Sequence, residues 1–381
     1  MIIKILGAES LGVRGLSCSV ELKNRKILID PGIALGWRRY RLLPHPFQVL
    51  MGVNIRERVI EQLKSASDVI ISHFDGDHCP LARPNPYQLG IDEVKDSLSR
   101  CRIWALGPDH CPPTQHKRRG DLAEILNRDL ISAEGRKEGS LEFSLPVAHG
   151  RQGGAEHRVM MTRIEDQGES FVHASDTQLY DETAIEFILD WEPDVVLVSG
   201  PPLYHYSGAG LKDLSERGRQ NALKLSRHVP VVIIDHHLLR SQQGIDWLNE
   251  LKGDARNQIC CAADFMTRQA LFLEAWRNRL YEWLPVRERW HDDYEQGRAD
   301  LEPYRIQGWE ALIARGKIQP CKWYPCCPIK EYTEAGKLER DWIEQYCLVG
   351  NRNCVRYQME ESGQPHPDSM LPNGKIREEL A

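Results

Sequence analysis

The chain has 381 residues, 49 Lys and Arg against 55 Asp and Glu, and a net charge of −6, enough length for one large core or two smaller ones. That acidic balance excludes a chain-wide electrostatic footprint for nucleic acid and leaves room only for a local basic groove. Apolar runs such as VVLVSG and VVIID are strand-sized rather than membrane-spanning, and the opening MIIKILGAES reads as a strand rather than a signal peptide, so the expectation is a cytoplasmic protein with no membrane partner.

In chain order, IIKILGA, LSCSVELK and KILIDPG read as strands, the last two joined in a hairpin and the last stopped at Asp30-Pro31-Gly32. Residues 35–55 read as irregular, and RERVIEQLKS as a helix leading into the buried strand of SASDVIIS. RIWALG is a further strand, and PDHCPPTQHKRRGD a polar, proline-containing loop. LEFSLPVAHG, HRVMMTRIED and SFVHASDT read as strands. The helices ETAIEFILDW and LKDLSERGRQNALKLSRH then alternate with the buried strands DVVLVSGPP and VPVVIIDHH. Hairpins followed by alternating helices and strands predict an α/β fold, an αββα sandwich of two mixed sheets with helices outside. Residues 259–316 read as a helical, aromatic extension of a first domain, 1–316, ahead of a small Cys-rich C-terminal module, 317–381.

The chemistry gathers where strands end. SHFDGDHC, residues 72–79, packs His73, Asp75, Asp77 and His78 into six positions on a backbone loosened by Gly76. Three more strand ends close on the same residue types: His149 in VAHG, Asp176 in HASDTQ, and His236 and His237 in IDHHLLR. Imidazole and carboxylate converging from separate strands suit Zn, Fe or Mn, and a carboxylate can bridge two ions.

The order hairpin, IDPG, HxxxDH, lone His, Asp, final His resembles the metallo-β-lactamase fold superfamily, whose motif is HxHxDH. GPPLYH and DHHLLR are similar to a little-characterised archaeal branch of metal-dependent hydrolases, over residues 1–285. The resemblance implies two divalent metal ions. His73, Asp75 and His149 would hold one, Asp77, His78 and His237 the other, and Asp176 would bridge them, with His236 as the alternative to His237. It also implies catalytic roles for Asp77, which would orient the nucleophile, and for His237. One position departs from the pattern: Asp75 stands where the motif has its middle His. The harder carboxylate shifts preference from zinc toward iron or manganese, and a flavodiiron branch with a carboxylate there does redox chemistry.

Eleven cysteines are many for a reducing compartment, and Cys321, Cys326, Cys327, Cys347 and Cys354 lie together in the tail. The tail lacks the CxxC of common zinc modules, while Cys327 is followed by Pro328, as ligand cysteines often are in iron–sulfur proteins. The expectation is a 4Fe–4S cluster on Cys321, Cys327, Cys347 and Cys354, with structural zinc or plain thiols as alternatives. CPIK and CVRY also resemble a small module of stand-alone proteins labelled uracil-DNA glycosylases, although the tail is too short for a glycosylase fold.

Three further features have two readings each, and a fourth has one. The run His110, His116, Lys117, Arg118, Arg119 is a phosphate contact or a solvated loop. Arg240 holds a substrate anion or an acidic neighbour. Tyr204, His205 and Tyr206 line a pocket or simply pack. His173 belongs to a sheet and is no ligand. Together these readings favour a metal-dependent hydrolase with a dinuclear His/Asp site, acting on a phosphoester in a small molecule or a nucleic acid. The alternatives are a redox enzyme with non-haem iron coupled to the cluster, and a non-catalytic binding protein on the same fold.

Overall fold

Strands β1 (Ile2–Gly7), β2 (Ser17–Leu22) and β3 (Arg25–Ile29) form an antiparallel meander, and β4 (Asp68–Ile71), β5 (Arg102–Ala105) and β6 (Ile131–Ser132) extend it in parallel. A second sheet starts with β7 (Lys137–Glu138) and β8 (Leu141–Phe143), while β9 (Val147–Ala148) and β10 (Arg158–Val159) pair as a separate ribbon. The second sheet continues through β11 (Thr162–Asp166), β12 (Glu169–His173), β13 (Val195–Ser199), β14 (Val231–Asp235) and β15 (Gln258–Cys260), in the order β15-β14-β13-β12-β11-β8-β7. It is parallel from β12 to β15 and antiparallel from β12 to β7. The structure is a computed structural model and describes residues 1–150 and 157–380.

Composition explains the split. The parallel strands β4, β13 and β14 are near-continuous runs, DVII, VVLVS and VVIID, as strands covered on both faces require. The antiparallel β8 and β11 alternate between buried and more exposed positions. The sheets meet through Trp104 of β5 and Phe143 of β8, whose ring centroids lie 5.6 Å apart. The helices are α1 (Pro46–Lys64), α2 (Lys95–Arg100), α3 (Pro113–Ile125), α4 (Glu182–Asp190), α5 (Gly208–His228) and α6 (Gln242–Asp254). Of these, α1 packs on β1, α5 on β14 and α6 on β15. This is an αββα sandwich, the architecture that the hairpins and the alternating helices and strands predict.

Several local expectations are corrected. Residues 46–55 are the first turns of α1, not irregular chain. Pro46 takes the first helical position and His45 Nδ1 accepts from the Phe47 N–H at 3.1 Å, which is a helix start. The run PDHCPPTQHKRRGD enters α3 at Pro113, again with proline at the first helical position but with no side-chain cap. LEFSLPVAHG divides between β8 and β9, with Pro146, which has no N–H to donate, in the gap. HRVMMTRIED likewise divides between β10 and β11. DFMTRQALFLEAWRNRLYEWL is not one helix but two short ones, Ala262–Phe265 and Arg277–Trp283, with Thr267 at φ 53 between them.

The chain forms two compact units, Met1–Ala262 with Phe272–Asp300, and Ala263–Leu271 with Leu301–Ala381. Residues 301–316, grouped by sequence pattern with the first domain, pack with the second unit. In the first unit, Phe272–Asp300 returns to the β1–α1 region. Glu274 takes both hydrogen bonds of the Arg14 guanidinium at 2.8 and 2.5 Å. Arg277, fully buried, donates to the Gly36 and Leu42 carbonyls and to Gln48. The second unit has a small core of Ile329, Leu338, Ile343, Cys347, Leu371 and Leu380, flanked by Tyr324, Tyr332, Trp342 and Tyr346. Among the described residues, no helix is long and apolar enough to cross a membrane.

Candidate metal centre

The C-terminal ends of β3 and β4 in one sheet, and of β12 and β14 in the other, deliver Asp30, His73, Asp176, His236 and His237 to one place. The strands leave through sharp bends: Asp30, Ser175 and His236 have φ of 47, 49 and 58. Left-handed backbone at non-glycine residues costs about 1–3 kcal/mol each and persists where the surroundings impose it.

At the centre is Asp176 Oδ2. It lies 3.8 Å from His73 Nε2, 3.3 Å from His78 Nε2, 3.3 Å from His149 Nε2, 3.4 Å from His236 Nε2 and 2.9 Å from His237 Nε2. Two groups share it. On one side, His73 and His149 also face Asp75 Oδ2, at 3.6 and 3.9 Å. On the other, His236 Nε2 is 3.3 Å from His78 Nε2 and 3.6 Å from Asp77 Oδ2. His236 therefore completes the group for which the resemblance favoured His237. His237 forms a further candidate group with Asp176 and His236, its Nε2 2.9 Å from Asp176 Oδ2 and its Nδ1 buried without a hydrogen-bond partner.

The donor set fits divalent cations. His73 Nε2, His149 Nε2 and Asp176 Oδ1 are buried with no hydrogen-bond partner, a state that costs about 1–3 kcal/mol per group unless something satisfies it. Seven imidazole and carboxylate side chains around one carboxylate oxygen are the ligand chemistry of Zn, Fe or Mn.

A second layer aims these ligands. Asp30 Oδ2 lies 2.8 Å from His78 Nδ1, and its Oδ1 accepts from the Ser72 N–H at 2.8 Å. Glu9 Oε2 lies 2.7 Å from His236 Nδ1, and Arg240 donates to Glu9 Oε1 at 2.6 Å and to Asp77 Oδ2 at 3.3 Å. Arg240 thus pairs with acidic neighbours, the second of its two readings. Asp75 Oδ1 accepts from Gln115 Nε2 at 3.1 Å and from Arg118 Nη1 at 3.3 Å, so Arg118 belongs to the site rather than to a solvated loop. Carboxylate-backed histidines of this kind fix ring orientation at metal sites. Gly32 is required here: a Cβ on it would stand 2.3 Å from the Cys79 nitrogen and 2.5 Å from that of His78. His173 sits in its strand, bonded to the Leu16 carbonyl at 2.9 Å.

Charge follows the same plan. Burial opposes ionisation of Asp176, but His236 and His78 hold it well below the usual carboxylate range. Asp77, also against burial, is drawn down to about 2 by His78, His236 and Arg240. His78 resists burial and is raised by Asp176 and Asp30. His237 is pushed well below the ordinary histidine value by burial and by Arg240, which keeps it a neutral lone-pair donor.

No family model matches the chain. A UPF0282 protein of Methanosarcina mazei is 43% identical over 308 residues, spanning 80% of this chain and 100% of that protein. The chain belongs to the UPF0282 family. Another UPF0282 protein, from Pyrococcus horikoshii, is 32% identical over 293 residues, covering 73% of this chain and 92% of its own length. Among solved structures, an isothiocyanate hydrolase from Delia radicum gut bacteria is 13% identical with a TM-score of 0.41, covering 68% of this chain and 95% of that one. A metal-dependent hydrolase of the β-lactamase superfamily is 14% identical with a TM-score of 0.40, over the same shares.

In this UPF0282 chain an open cavity of about 730 Å³ is lined by Asp109, His110, Pro112, His116, Pro146 and Arg158. Its walls belong to the elements that build the first group: α3 carries both His116 and the Asp75 anchors, and Arg158 pairs with Ala148, next to His149. In the second unit, Cys321, Cys326, Cys327, Cys347 and Cys354 all line one cavity.

Proposed function

We propose that the chain is a metal-dependent hydrolase whose substrate is a phosphoester. The observation that carries this reading is Asp176 Oδ2, an ionised carboxylate oxygen surrounded by five imidazole nitrogens. In this reading His73, Asp75 and His149 would hold one ion and Asp77, His78 and His236 the other, with Asp176 shared between the two groups. The bound ions would lower the pKa of a water toward about 7 and polarise the scissile oxygen. Asp77, ionised and steered by Arg240, accepts a hydrogen bond from the attacking water and sets its direction. His237, kept neutral and 2.9 Å from Asp176 Oδ2, would steady the shared carboxylate and is the alternative nitrogen ligand to His236. His110, His116 and Arg158 on the open cavity favour an anionic substrate, and the net charge of −6 favours a small one over a long nucleic acid.

The test is turnover of bis(p-nitrophenyl) phosphate against p-nitrophenyl acetate, with the chain stripped by chelator and reloaded with Zn or Mn. Metal-dependent diesterase activity that disappears in Asp176→Ala supports the reading. Carboxyl-ester cleavage alone overturns the substrate class, and no cleavage with any metal overturns hydrolysis.

Asp75 favours a second reading, a redox enzyme with iron at the same ligands, because its carboxylate is a harder donor than the motif's imidazole. Iron retained after aerobic purification, with a visible band bleached by reductant, would favour it over hydrolysis. The four cysteines Cys321, Cys327, Cys347 and Cys354 are assigned to a separate metal group.

A further inference from the structure

In the second unit, the chain brings cysteines from four separate turns to one cavity of about 60 Å³, whose lining includes Cys321, Cys327, Cys347 and Cys354. All four are free thiols. They are spaced irregularly along the sequence, so folding, not a local motif, assembles them. The Cys321 N–H donates to the Cys347 carbonyl at 2.7 Å, which locks two of the four together. Cys347 ends a π-helical turn, Ile343–Cys347, a local widening of the helix that recurs at functional sites.

The surroundings suit a group larger than one ion. Four thiolates on zinc sit about 2.3 Å from it and leave no cavity between them. Here they surround open space walled by Trp323, Tyr324, Pro328 and Tyr357. The buried Arg356, tied to the Pro367, Asp368 and Met370 carbonyls, brings a fixed positive charge to the wall.

We infer that Cys321, Cys327, Cys347 and Cys354 ligate a 4Fe–4S cluster in the second unit. This rests on the reading of these four cysteines as metal ligands and is independent of the hydrolytic centre. On ligation the four thiols release their protons and each sulfur bonds one iron. An oxidised cluster core of charge 2+ then gives a group of net charge 2−, which Arg356 partly offsets. Cys326 lines the same cavity but is exposed, its Sγ turned to the Trp323 carbonyl at 3.4 Å, and it is not a ligand.

The test uses the full chain purified without oxygen. The expected result is brown protein with a broad band near 400 nm and about four iron and about four acid-labile sulfide per chain. Labile sulfide separates this iron from any held by histidines and carboxylates, which carry none. Cys354→Ser and Cys347→Ser should each lose most of the sulfide, and Cys326→Ser should keep all of it. Chemical reconstitution of the cluster-free chain with iron and sulfide should restore the band in the parent and not in Cys354→Ser, which separates lost ligation from lost folding. One zinc per chain with no sulfide, removed by Cys354→Ser, overturns the cluster while keeping the four ligands. Absence of any metal that depends on these cysteines, even after reconstitution, overturns both. Equal loss of sulfide in Cys326→Ser overturns the ligand assignment.

Discussion

Glu9 Oε2 lies 2.7 Å from His236 Nδ1 across 227 residues of sequence, and this contact decides which face of the imidazole meets the centre. With Nδ1 turned to the carboxylate, Nε2 is left toward His78, Asp77 and Asp176. We expect His236→Ala to remove one of two metal ions per chain and His237→Ala to keep both while slowing turnover, as read by metal analysis beside an activity assay. Glu9→Gln should weaken binding of the second ion by about 10–100-fold. The reverse pattern, metal lost only in His237→Ala, would return that position to His237.

Asp75 spends one oxygen on Gln115 and Arg118 and turns the other to His73 and His149. Asp75→His should therefore raise zinc relative to iron in protein purified from a mixed-metal medium. Gln115→Ala should lower affinity at the first group by about 10–100-fold, measured by competition with a chromophoric chelator. Unchanged metal content in both variants would make Asp75 a bystander.

The residues that gather around Asp176 were legible in the sequence because chemistry and position coincide. Four of them share SHFDGDHC, and the others each lie just past the end of a strand, the strongly apolar VVIID in the case of His236. The residues that aim them were not. Glu9 and Asp30 act on histidines far along the chain, and no local pattern marks such a partner. Gln115 and Arg118 were hidden because Pro112-Pro113 reads as loop and α3 buries only Gln115 and Leu122, too little apolar periodicity to announce a helix. The start of α1 was hidden for the opposite reason: PFQVLMGVN is buried at nearly every position, so no face stands out. His236 and His237 are adjacent and alike, and only the backbone bend at His236 separates them.

Gly32 approaches the His78 backbone so closely that Gly32→Ala must displace it. Overpacking of this kind costs about 1–3 kcal/mol. The expected outcome is a lower thermal midpoint and a disproportionate loss of the second ion, since His78 moves with its backbone. A full metal complement at reduced stability would show that the clash relaxes away from the site.

His45 offers a pH test remote from the ligands. It caps α1 through Nδ1, so Nε2 carries the proton and donates to the Leu284 carbonyl at 2.9 Å. Burial, with help from His291 and Arg277, lowers its pKa to about 4. An unfolded histidine titrates near ~6.5, so between these values the unfolded chain binds the extra proton and the folded chain does not. Stability therefore falls as pH drops from about 6.5 to 4. His45→Asn keeps a capping acceptor and lacks this titration. The difference in thermal midpoint between parent and variant should shrink steadily over that range, and a difference independent of pH would overturn the assignment.

The returning segment adds a matter of timing. The last centre residue, His237, precedes Arg277, whose guanidinium fastens the Gly36, Leu42 and Gln48 region, by some 40 residues. At about 5–20 residues per second of synthesis, that interval lasts roughly 2–8 s. The ribosome thus releases all the residues gathered around Asp176 seconds before the buried arginine that pins the region of residues 36–48 is made, and until then that region of the nascent chain stays unfastened.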